Sequence, residues 1–173
     1  MRRLFVAVWP PDEVLDRVAE LPRPAVEGLR WTAREQWHVT LRFLGPVADL
    51  GPVGAALTGL DAGRGPITAH LGPAVTRLGR RILQVPAVGV DAVAEAVVGA
   101  TAHLGTRPDD RPFRGHLTLA RLAKEARVDL RALTGAPIQT EWEVGSVCLV
   151  ESRLSPAGAR YEVLERFGLR TSR

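Results

Sequence analysis

The chain has one cysteine, one lysine and no apolar run near the roughly 20 residues that a membrane-spanning helix needs. With Cys148 alone, an intramolecular disulfide and a cysteine-built zinc site are both excluded. Its apolar neighbours Val147, Leu149 and Val150 mark it as a core side chain. Charged or turn-forming residues interrupt every hydrophobic candidate for a span. Met1-Arg2-Arg3 followed by Leu4 to Trp9 has the charge of a secretion signal, but the apolar stretch is short and runs into Pro10-Pro11-Asp12. It reads as a first strand, and a cytoplasmic location is the expectation. Lys124 is the sole lysine, so arginine supplies nearly all the positive charge; GC-rich coding accounts for that better than phosphate recognition does.

What is present is enough for one compact domain with a real core: 173 residues, 46% of them apolar. The formal charge of +4 gives a mildly basic surface suited to phosphates. Strand composition from Leu4 to Trp9 is followed by a helix from about Pro11 to Leu21, with prolines and acids in its first turn. A strand from Trp37 to Leu44 ends at Gly45-Pro46, and a helix follows to about Leu60. Two strands, Ile67 to Leu78 and Arg81 to Val85, form a hairpin about Gly79. The second half repeats the plan, with a helix from Val90 to Leu104, a polar loop from Thr106 to Arg111 and a strand from His116 to Leu122. A short helix over Asp129 to Thr134 precedes strands from Ile138 to Leu154 and Arg160 to Phe167, joined by the turn Ser155-Pro156-Ala157-Gly158. Frequent hairpins without a βαβ rhythm predict an α+β fold with antiparallel sheets.

Two segments match each other: Trp37-His38-Val39-Thr40-Leu41-Arg42-Phe43-Leu44-Gly45 and Phe113-Arg114-Gly115-His116-Leu117-Thr118-Leu119-Ala120-Arg121-Leu122. Two His-x-Thr-Leu hits among four histidines arise by chance in of order one in a few thousand chains of this composition. In an extended strand His38 and Thr40 share one face with Arg42 beyond them, and His116 shares one with Thr118. If a pseudo-two-fold axis relates the halves, the polar faces meet across a cleft. Two imidazoles flanking a small site suit metal-free phosphodiester cleavage, since one takes a proton while the other gives one. Threonine hydroxyls orient phosphate oxygens without added charge, and Arg42 or Arg121 neutralises the phosphate. Strict alternation puts Arg121 on the face opposite His116, which favours Arg42 as the direct contact.

These residues resemble the 2H phosphoesterase superfamily, named for paired His-x-Thr motifs, and within it the RNA 2',3'-cyclic phosphodiesterase branch also described as 2'-5' RNA ligase. Arg3 to Ala7 is similar to the family's opening strand. Leu149 to Leu164, with Glu151-Ser152 and Gly158-Ala159-Arg160-Tyr161, resembles its closing hairpin. The resemblance implies one bilobal, pseudo-symmetric, monomeric domain over residues 1–173, with motif strands at 37–44 and 115–122. Two antiparallel sheets would face a central cleft with helices outside. It implies hydrolysis of RNA 2',3'-cyclic phosphate ends to 2'-phosphomonoesters, with His38 as proton donor and His116 as proton acceptor. Thr40, Thr118, Arg42 and Arg121 would hold the substrate, and no cofactor or metal would be used. Its partners would be RNA carrying such ends, tRNA-derived ends among them, or small cyclic nucleotides, with no membrane and no obligate protein partner. Gly115 stands where the family commonly has proline, which loosens the entry to the second motif strand.

Several features have plainer readings. His70 and His103 lack a matching threonine and read as structural. Trp9, Trp31, Trp37 and Trp142 can stack on bases, although core packing accounts for most of them. Phe5 is a base-stacking candidate only by family analogy. Arg80-Arg81 and the arginines between Arg107 and Arg114 suit RNA backbone contacts but read first as solvated surface. Two histidines can ligate zinc, yet no third ligand is evident. A non-catalytic module that captures cyclic phosphate ends, and 2'-5' ligation as the main direction, both remain open from the sequence.

Overall fold

A computed structural model describes residues 1–155 and 158–172. The Pro156-Ala157 part of the expected turn lies outside the described residues. In chain order the elements are β1 (Arg2–Val8), α1 (Asp12–Ala19), β2 (Leu29–Trp31), β3 (Val39–Val47), α2 (Gly51–Leu57), β4 (Asp61–Arg64), β5 (Thr68–Leu71), β6 (Thr76–Leu78) and β7 (Ile82–Val88). The remainder are α3 (Asp91–Thr101), β8 (His116–Leu122), β9 (Thr140–Glu143), β10 (Ser146–Ser155), β11 (Gly158–Gly168) and β12 (Arg170–Ser172). The fold is mixed and mostly antiparallel sheet, as expected.

Ten strands form one sheet along the path β11-β10-β1-β3-β8-β7-β5-β9, with β2 beside β8 and β6 beside β7, and β4 pairs with β12 apart from it. Along this path its two halves meet where the motif strands touch, at the single pair Val39 and Leu117. A junction this narrow lets the sheet curl, so that the β11-β10-β1-β3 half faces the half begun by β8. The helices are exchanged between halves. α1 follows β1 but packs against β9, whereas α3 follows β7 and packs against β3. α1 buries Val14, Leu15 and Val18, and Asp12 and Glu13 in its first turn suit the positive end of the helix dipole. Most buried apolar side chains form one cluster that includes residues of both halves, such as Leu4, Val39, Leu83, Val97 and Leu117. A second, smaller cluster of Phe5, Ala7, Cys148 and Val150 lines the other face of β1 and β10.

Element ends depart from expectation where backbone chemistry outweighs composition. β3 runs through Gly45-Pro46 to Val47, because Gly45 takes a φ of 68° and the Leu44 carbonyl accepts from Thr106 N at 2.7 Å. The segment expected as one strand from Ile67 to Leu78 is two, split at Gly72-Pro73, and the one from Ile138 to Leu154 is split at Val144-Gly145. The Gly79 hairpin is present, with Leu78 paired to Ile82. The stretch from Asp129 to Thr134 holds one 3-10 turn, Leu130–Leu133. β2, β4 and β12, each three or four residues long, are too short for a periodicity signal.

Candidate active site

His38 sits one residue before β3 and His116 is the first residue of β8, so both imidazoles stand at the junction of the two halves. They line one cavity of about 370 Å³ together with Thr40, Thr118, Phe43 and Arg121. Each ring is fixed in the same way. His38 Nδ1 lies 2.7 Å from the Gln36 carbonyl and His116 Nδ1 2.8 Å from the Arg114 carbonyl, in both cases two residues back. A carbonyl oxygen only accepts, so Nδ1–H donates, and a neutral ring then carries its lone pair on Nε2. At His38 that Nε2 is 3.0 Å from Thr40 Oγ1.

The arginines are placed opposite to the expectation from strict alternation. In β3 Thr40 faces Ala7 and Arg42 faces Val6, leaving Leu41 as an extra residue. In β8 Thr118 faces Gln84 and Ala120 faces Leu83, leaving Leu119 extra. Each bulge falls on the leucine of its His-x-Thr-Leu motif and inverts the alternation beyond it. Arg42 is therefore carried out of the cleft and is 5% exposed. Its guanidinium donates to the carbonyls of Leu104 and Thr106, both at 3.0 Å, and of Val98 at 3.3 Å, and to the Thr101 hydroxyl, which holds the C-terminal end of α3. Arg121 turns into the cleft instead. Five residues past each histidine, the halves thus present different groups: Phe43, 62% exposed, and Arg121.

His38 is packed among rings. Trp9 stacks on it at 4.9 Å and 23°, Phe5 lies at 4.9 Å, and Tyr161 meets it edge-on at 5.1 Å. Burial lowers its pKa from 6.5 to about 4. The Gln36 hydrogen bond opposes that shift, while the charges of His116 and Arg121 add to it. Phe5, expected as a base-stacking surface, is 1% exposed and supports His38 from beneath. Trp37 and Trp142 are core, as read, but Trp31 lines the cavity and Trp9 covers His38. Gly115 does not loosen its strand: a Cβ there would lie 2.3 Å from the Ala87 carbonyl, and its own carbonyl accepts from Ala87 N at 2.9 Å. His70 is exposed and pairs with Glu141 at 3.0 Å, and His103 is an exposed residue beyond α3.

Gln36, Trp31 and Tyr161 are cavity residues that the motifs do not reveal. Gln36 Nε2 also donates to the Ala159 carbonyl at 2.6 Å, tying the β10–β11 hairpin to the first motif. The only signal for Tyr161 is its place in the hairpin that resembles the family's. Among the described residues no group of three or more His, Cys, Asp or Glu side chains is arranged to hold a metal ion, and no helix is long and apolar enough to cross a membrane.

A curled antiparallel sheet that brings two His-x-Thr motifs to one cavity defines a phosphoesterase of the two-histidine class. Residues 8–76 and 85–161 match the family described as LigT-like phosphoesterase, and the chain belongs to it. A protein of Thermus thermophilus named RNA 2',3'-cyclic phosphodiesterase is 34% identical over 97% of this chain and 90% of its own length. A Geobacillus stearothermophilus protein of the same name is 29% identical over 95% of this chain, which spans only 56% of that relative. A crystal structure of a Thermus thermophilus protein superposes with a TM-score of 0.78 at 29% identity, covering 99% of this chain and 100% of the other.

Proposed function

We propose that this phosphoesterase hydrolyses 2',3'-cyclic phosphate ends of RNA to 2'-phosphomonoesters, with His38 and His116 as paired general acid and base and no metal. The observation that carries the reading is the matched pair of imidazoles, each held at Nδ1 by a carbonyl two residues back, lining one cavity. His116 takes a proton from water, the water oxygen attacks phosphorus, the bond to the 3' oxygen breaks, and His38 Nε2 protonates that oxygen. The product is a 2'-phosphate beside a free 3' hydroxyl.

His38 by itself is neutral at neutral pH, so it acts as donor only when substrate raises its pKa. An anionic phosphate against the ring does so by favouring the imidazolium. Thr40 and Thr118 donate to the non-bridging oxygens, and Arg121 offsets their charge; Arg42 takes no part. The whole chain acts as a single domain, because neither half alone supplies both histidines. The names of the relatives support RNA ends as the substrate.

The test is turnover, in EDTA, of a short RNA ending in a 2',3'-cyclic phosphate by wild type, His38→Ala and His116→Ala, with the terminal phosphate identified. We expect a 2'-phosphate from wild type and a loss of at least about a hundredfold in each variant. Binding without turnover would make the cleft a capture module. Activity abolished by EDTA would replace the acid–base pair with a metal.

A further inference from the structure

A second cavity, of about 450 Å³, lies beside Trp9. Its walls include Trp9, Asp12, Glu143, Gly145, Ser146 and Arg166. Trp9 and Ser146 continue the face of β1 and β10 that carries Phe5, Ala7 and Cys148. Arg166, opposite Cys148 in the β10–β11 ladder, reaches Cys148 Sγ at 3.3 Å from the same face. His38 lines the first cavity and Trp9 the second, and the two rings are stacked at 4.9 Å. The cavities thus adjoin, parted by a pair of aromatic rings.

We propose that this second cavity is the subsite for the nucleotide that precedes the cyclic-phosphate end, taking its base against Trp9. The inference rests on the phosphodiesterase reading above. A chain whose terminal phosphate lies at His38 enters the next compartment within one nucleotide step. An indole wall with an arginine beside it is the combination that holds single-stranded bases by stacking and cation–π contact. The charges in the cavity are mixed, Arg166 against Asp12 and Glu143, which favours a base with exocyclic amino groups over a second phosphate. Carboxylates accept from such amino groups. Asp12 is already partnered, 3.1 Å from Arg34, which leaves Glu143 the more available acceptor.

The test compares kcat/KM for a 2',3'-cyclic mononucleotide with that for a dinucleotide ending in the same cyclic nucleotide, in wild type, Arg166→Gln and Gly145→Leu. Gly145 lines the cavity and has no atom within 4 Å of an added Cβ, so a leucine there adds bulk at the cavity wall without a clash at its base. We expect wild type to prefer the dinucleotide by at least about fivefold, the low end of what one stacked base contributes. Gly145→Leu should bring that ratio to near one, and Arg166→Gln should lower it severalfold. A wild-type ratio near one, or a preference that both variants leave intact, overturns the subsite while the phosphodiesterase reading stands. Failure to turn over either substrate overturns both.

Discussion

The two histidines hold equivalent places in the two halves, yet their surroundings differ. His38 is enclosed by Trp9, Phe5 and Tyr161, whereas among the described residues no aromatic ring stacks on His116. A desolvated imidazole resists protonation, so below pH 6.5 the unfolded chain takes up a proton at His38 that the native ring refuses until about pH 4. The native state therefore loses stability as the pH falls through that window and keeps it above. The full effect is about 3 kcal/mol. Chemical denaturation at pH 7 and pH 4 should show a smaller acid loss in His38→Gln than in wild type, by roughly that amount. NMR titration should place the His38 midpoint near 4 in the free protein and above it with phosphate bound. A midpoint that phosphate leaves unmoved would remove His38 as the proton donor. The pair His38 and Thr40 was legible in the sequence because a two-residue separation survives any bulge beyond it; the ring packing was not, since Trp9, just past β1, and Tyr161, in β11, come from other segments of the chain.

At the scale of the element, the bulges at Leu41 and Leu119 decide which arginine faces the cleft. A bulge leaves no mark in a run such as Thr-Leu-Arg-Phe or Thr-Leu-Ala-Arg, since its residues are ordinary strand formers; pairing to β1 and β7 reveals it. Arg42 is then a structural cation, whose buried guanidinium satisfies carbonyls at the end of α3. Arg42→Ala leaves those carbonyls unpartnered and opens a cavity, so it should destabilise the fold by about 3 kcal/mol, read from urea denaturation. Its kcat/KM per folded molecule should match wild type at low temperature. Arg121→Ala should do the reverse, with stability unchanged and kcat/KM reduced about tenfold or more through the lost charge at the phosphate. If Arg42→Ala instead abolished turnover at full stability, the guanidinium would belong to the cleft after all.

Across the whole molecule, each half borrows a helix from the other and one apolar cluster includes residues of both. Neither half can shed its partner without exposing core, so heating should give one transition with equal calorimetric and van't Hoff enthalpies. Two resolved transitions would mean that the halves are separate folding units. The sequence by itself determined the class of fold, the two motifs with their histidine–threonine faces, and the family, because these depend on local periodicity and on residue types at short spacing. The tertiary structure decided which arginine enters the cleft, that Phe5 supports and does not stack, that His38 is held neutral, and that a second cavity lies beside Trp9. Those outcomes depend on strand register and on contacts between segments far apart in the chain, which local pattern does not encode.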